Sequence, residues 1–146
     1  MIAIGSDHGG LNLKNAIKKY LDEKKIEYID FGTNGDEACD YVDYAIKVSK
    51  SVQSGQCEKG ILVCGTGIGM SLAANKFKGI RAAVCGDWFS AKYTRVHNDS
   101  NILCLGQRVT GEGLALELVD VFLSSEFEGG RHAVRLQKIA DIENEQ

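Results

Sequence analysis

The densest chemical possibilities in this chain lie in the run Cys64-Gly65-Thr66-Gly67-Ile68-Gly69-Met70-Ser71. A thiol stands at its head, and alternating glycines let the backbone approach a ligand closely and aim successive N–H groups at it. A helical pattern begins directly afterwards, adding a partial positive charge suited to a phosphate or a developing oxyanion. The same setting favours the thiolate form of Cys64, which makes that residue a candidate base. Other readings of the run stay open. A cysteine at a strand end is also a small core residue, and a glycine-rich loop is also a tight strand–helix turn. A nucleotide site is a further alternative. The run places Met70 where a dinucleotide fingerprint needs glycine and lacks a P-loop lysine, yet Asp87 follows about 20 residues on, where a ribose-binding acid is expected.

Three more groups could join this chemistry. Asp7-His8 offers a carboxylate beside an imidazole, which is equally a loop-organising pair. His97-Asn98 stands at a helix end, where a histidine can also interact with the last carbonyls. Arg131 and Arg135 are spaced i, i+4 and share a helix face, and Arg108 follows an apolar run. Arginines aimed one way suit bidentate capture of a phosphate dianion, although a solvated charged helix has the same look.

These groups must be positioned by the elements around them. Apolar runs at 1–6, 27–31, 60–64, 81–85 and 101–105 read as buried strands. Between them, Leu13, Ala16, Ile17, Tyr20 and Leu21 make one helical face, with Lys14, Lys18, Lys19 and Asp22 opposite. Segments 44–52, 68–77, 88–96 and 113–123 follow the same period, and 131–144 is a charged amphipathic helix with no strand after it. Strict alternation predicts one domain, residues 1–146, with a Rossmann-like three-layer α/β/α fold around a five-stranded parallel sheet. Ligands bind beyond the carboxyl ends of such strands, where Asp7-His8, the 64–71 run and Arg108 all fall. The last helix has no evident path back over its own strand ends, whereas a neighbouring subunit's helix has one.

Composition narrows the function class. The formal net charge of −3 gives no global pull toward nucleic acid or anionic membrane, so an anionic ligand needs a local basic cluster. The N-terminus lacks a signal-peptide pattern and no apolar stretch spans a bilayer, so a cytoplasmic enzyme is expected. The five cysteines form no CxxC pair and match no zinc spacing, which speaks against disulfides, structural metal and a dithiol redox role. Cys39, Cys57, Cys85 and Cys104 read as packing residues.

The blocks GSDHGG near the start, CDYVDYA at 39–45, GILVCGTGIGMSLAANKFKGIRAA at 60–83, HNDSN at 97–101 and GGRHAVR at 129–135 resemble the B-type ribose-5-phosphate isomerases and the related galactose-6-phosphate isomerase subunits. The resemblance runs over nearly the whole chain. It implies strand order 2-1-3-5-4 and a homodimer, or dimer of dimers, with active sites shared between subunits and reached by the C-terminal helix. It implies interconversion of ribose 5-phosphate and ribulose 5-phosphate in the pentose phosphate pathway, with a six-carbon sugar 6-phosphate as the alternative substrate. No cofactor and no metal are implied. Carried over, Cys64 is the base, Thr66 the proton shuttle and His97 the ring-opening histidine. The amides of Gly65, Gly67, Ile68, Gly69, Met70 and Ser71 hold the enediolate. Asp7, Tyr41 and Asn98 contact sugar hydroxyls, while His8, Arg131 and Arg135, with Arg108, hold the phosphate. Two departures from relatives stand out: Val42 replaces a proline after the Asp40-Tyr41 pair, and 72–75 carries no carboxylate where some relatives place a glutamate base.

Overall fold

A computed structural model describes all 146 residues. In chain order the elements are β1 (Ile2–Ser6), α1 (Leu11–Glu23), β2 (Tyr28–Asp30), α2 (Tyr41–Gln53), β3 (Lys59–Cys64), α3 (Ile68–Ala74), β4 (Ala82–Val84), α4 (Trp88–Asn98), β5 (Ile102–Gly106), α5 (Glu112–Ser124) and α6 (Arg131–Asn144). A single 3-10 turn, His8–Gly10, joins β1 to α1. All strand pairs are parallel and the order is β2-β1-β3-β5-β4, as the resemblance implied.

The period-2 pattern of the central strands splits the core in two. Ile2, Ile4, Ile61, Val63, Leu103 and Leu105 turn to one face and pack with Leu13, Ile17 and Leu21 of α1 and Leu118, Val119 and Phe122 of α5. Ala3, Leu62, Cys64, Ile102 and Cys104 turn to the other face, against Ala45, Val48 and Val52 of α2 and Met70 and Ala74 of α3. α2 and α4 start where carboxylates supply caps. Asp40 accepts from the Val42 N–H at 3.0 Å, and Asp87 from the Ser90 N–H at 2.7 Å. Val42 therefore contributes a donor that a proline there would lack, and this bond ties down the Asp40-Tyr41 loop. No helix is long and apolar enough to cross a membrane.

Two expectations are corrected. The helix expected over 68–77 ends at Ala74. Asn75 turns the chain by pairing both ways with the Ala82 backbone, its Nδ2 donating to the carbonyl at 2.9 Å and its Oδ1 accepting from the N–H at 2.8 Å. Lys14, expected on the solvent face of α1, is wholly buried. Its ammonium donates to Asp30 at 2.7 Å, to Asn34 Oδ1 at 3.2 Å and to the Thr33 carbonyl, so three acceptors replace its water. That cluster fastens the loop after β2 to α1, close to the carboxyl ends of the strands.

Candidate active site

The site is built where β1, β3 and β5 end side by side. Cys64 closes β3 opposite Gly106 of β5, and Asp7 donates its N–H to the Val63 carbonyl at 3.3 Å. The loop ends are then locked backbone to backbone. Gln107 and Arg108 donate their N–H groups to the carbonyls of Cys64 and Gly65 at 2.9 and 3.0 Å. A methyl group on Gly106 would lie 2.6 Å from the Thr66 carbonyl carbon. Gly67 adopts φ +83°, a conformation that strains other residues, with Leu105 backbone atoms 3.0–3.2 Å from where a Cβ would stand.

This turn aims the Gly67 N–H at Cys64 Sγ, 3.0 Å away. Cys64 is 5% exposed, and its sulfur receives a backbone donor. Burial and the nearby Asp87 push Cys85 up to about 11, and burial also raises Cys104. Because α3 has only seven residues, individual amides rather than a long helix dipole govern the anion site. The amides of Gly65, Thr66, Gly69 and Met70 have no acceptor within the chain. The Ile68 N–H donates to Thr66 Oγ1 at 3.2 Å, which leaves that hydroxyl's own proton free. Gly67 and Ile68 thus differ from expectation, their N–H groups being taken by Cys64 Sγ and Thr66 Oγ1, and so does Ser71. Its N–H closes onto the Gly67 carbonyl and its hydroxyl donates to the Ile68 carbonyl at 2.7 Å, so both are committed to α3.

Around this floor stand the groups that could grip a ligand. Asp7 accepts from the Gly10 N–H at 3.0 Å, which holds one carboxylate oxygen inward. His8 is exposed, and its Nδ1 accepts from the Cys39 N–H at 3.2 Å. A neutral His8 therefore carries its proton on Nε2. The Tyr41 ring lies on Gly69, and the Arg108 side chain lies over Gly65. Sequence reasoning missed two supports. Cys39 holds His8, and Gln107 Oε1 accepts from the Leu13 N–H at 2.9 Å, fastening the β5 loop to α1. Both link residues distant in sequence, and neither carries a local signature.

His97, Asn98, Arg131 and Arg135 are not brought to Cys64. α4 ends at Asn98, shortly before β5 begins, whereas Cys64 lies level with the end of β5. A five-residue strand separates those levels by about 13 Å. His97 belongs instead to a second cluster in which its ring stacks on His132 of α6, with centroids 4.3 Å apart. Arg131 and Arg135 are exposed on the same helix. Asp99, in the left-handed region at φ 47°, ends α4 and accepts from Arg95 at 2.8 Å and Arg81 at 3.4 Å, fixing the helix end that bears His97. Donor atoms of His97, Glu128 and His132 lie within 4.8 Å of one another. The two imidazoles are only 14° from parallel, however, so their in-plane lone pairs do not converge on one ion. Asp87 fails the nucleotide reading: it caps α4 and sits beyond β4, which β5 separates from β3.

The comparisons with known proteins agree with this geometry. A family model described as ribose/galactose isomerase matches residues 2–139. The ribose-5-phosphate isomerase B of Escherichia coli is 49% identical over 97% of this chain and 95% of its own length. A solved ribose-5-phosphate isomerase B of Clostridium thermocellum superposes with a TM-score of 0.97 at 56% identity, covering 99% of this chain and 97% of that one. The enzyme of Mycoplasma genitalium, solved with bound ribulose 5-phosphate, gives a TM-score of 0.95 at 41% identity, covering 99% and 97%. With a sheet order, a glycine loop and a thiol in place, and a family model matching almost end to end, this chain belongs to the ribose/galactose isomerase family.

Proposed function

We propose that this protein interconverts D-ribose 5-phosphate and D-ribulose 5-phosphate through an enediolate, in active sites shared by two copies of the chain. The observation that carries the reading is the Gly67 N–H on Cys64 Sγ within a loop whose Gly65, Thr66, Gly69 and Met70 amides are unpaired. Aldose–ketose isomerisation needs a base at carbon, a proton carrier between two oxygens and donors for the oxyanion. Cys64 takes the C2 proton of the open-chain aldose and returns it to C1. The Thr66 hydroxyl moves the proton between O2 and O1, while the amides of Gly65, Thr66, Gly69 and Met70 hold the negative oxygen. Asp7 and Tyr41 contact sugar hydroxyls, and His8 and Arg108 meet the phosphate. The partner supplies His97 to open the furanose, Asn98 for a hydroxyl, and Arg131 and Arg135 for the phosphate.

The separation of His97 from Cys64 supports the shared arrangement, because one chain alone lacks half of this set. Mixing two inactive variants tests it. In a heterodimer of Cys64→Ala and His97→Ala chains, one site carries both lesions and the other carries neither. Random reassortment at equal amounts is expected to restore about a quarter of wild-type activity. No recovery after unfolding and co-refolding the mixture would refute sharing. Incubation with ribose 5-phosphate in D₂O, followed by NMR, tests the reaction itself. The expected result is ribulose 5-phosphate without added cofactor, and no product would refute it.

A further inference from the structure

The role proposed for His97 leaves its neighbour without a function. His132 follows Arg131 in the first turn of α6, and its ring covers His97 with centroids 4.3 Å apart and planes 14° from parallel. Tyr93, one turn earlier on α4, also touches His97, at 4.9 Å and 47°. Two rings from two elements therefore limit the orientations open to His97. The chain delivers His132 there through a dedicated turn. Gly129 and Gly130 adopt φ +74° and +59°, and the Glu128 N–H donates to the Val96 carbonyl at 3.0 Å.

His132 is 7% exposed and its Nε2 has no hydrogen-bond partner. A phenyl ring would fill the space without stranding a nitrogen. Burial, then the adjacent His97 and Arg131, hold His132 below the usual histidine range. Two touching imidazoles do not both readily carry a proton.

We propose that His132 is a positioning residue for ring opening, stacking on His97 to fix the orientation in which that imidazole meets the ring oxygen of the sugar. The proposal rests on the reading of His97 as the ring-opening group. A test exists because ribulose 5-phosphate has no ring to open: its carbonyl is at C2 and its O5 carries the phosphate. Ring opening is therefore needed to use ribose 5-phosphate, but not to remove a C1 hydrogen from ribulose 5-phosphate.

Two rates are measured for each variant: turnover of ribose 5-phosphate, and loss of deuterium from C1 of ribulose 5-phosphate, whether to solvent or to C2. His132→Ala is expected to slow the first by about 10- to 100-fold and to leave the second within about twofold. His132→Phe keeps a stacked ring and is expected to recover the first rate to within about fivefold of wild type. Equal loss of both rates, or no loss of the first, overturns the proposal. His97→Ala run alongside separates the two ideas. If it shows the split and His132→Ala does not, only the positioning role fails. If His97→Ala shows no split, the assignment of His97 itself falls.

Discussion

Gly69→Ala would place a methyl group 2.7 Å from Cε2 and Cζ of the Tyr41 ring and 3.1 Å from its hydroxyl. Carbon atoms rest at about 3.5–4.0 Å, so the ring must withdraw by about 1 Å. Tyr41 is 37% exposed, so the ring can swing toward solvent without disturbing α3. Lost ring contact costs about 1 kcal/mol, and alanine regains about 1 kcal/mol over glycine within a helix. The midpoint of thermal unfolding should therefore move by no more than about 3 °C. Activity should respond differently, because a displacement of about 1 Å at a substrate contact can cost about 10²-fold in rate. The assay is kcat/KM on ribose 5-phosphate beside thermal unfolding, for Gly69→Ala, Tyr41→Ala and the double variant. Once Tyr41 is truncated, the three closest contacts of the methyl group are removed. In that background Gly69→Ala should stabilise by about 1 kcal/mol and lower kcat/KM no further. Full activity in the single variant would refute the reasoning, as would a further tenfold loss in the Tyr41→Ala background.

Cys64→Ala is expected to lower turnover by about 10³-fold while calorimetry still detects ribulose 5-phosphate binding; an active variant would remove Cys64 as the base. Asp30→Asn strands the buried Lys14 ammonium and should cost about 3 kcal/mol in urea unfolding at pH 7. Burial alone would raise the Asp30 carboxyl, but hydrogen bonds from Lys14, Lys18 and the Gly32 N–H hold it below its ordinary value. Its contribution is thus present above about pH 4 and lost on further acidification, a step the variant should lack. Tyr20 is raised to about 12 by burial and by its bond to Asp120. That contribution is full below about pH 10 and fades between pH 10 and 12, so Tyr20→Phe should flatten the alkaline limb of a melting series.

The elements were legible because each carries its own period, and the 64–71 loop because its thiol and glycines are contiguous. The end of α3 was not, because Asn75 stops it by pairing with Ala82 on a different strand. Lys14 reads as a surface lysine until its three acceptors arrive from beyond α1. The paired arginines could be read as a candidate phosphate grip, but only the fold shows that their helix packs beside His97, away from Cys64. His132 stood inside a quoted motif and attracted no role, since ring stacking between α4 and α6 leaves no trace in spacing.

The backbone-to-backbone closure of the β3 and β5 loops also bears on how this scaffold changes its substrate. Where Gly106 meets Thr66 and Gly67 meets Leu105, no side chain intervenes that could be enlarged or trimmed. The reaction chemistry is thereby insulated from mutation, and adaptation to a longer or shorter sugar is left to the perimeter. Tyr41, Arg108 and the arginine-bearing face of α6 are the places to randomise in a library seeking a new chain length. Such a library should retain proton-transfer competence even among members that bind poorly, which makes weak starting activity improvable rather than absent.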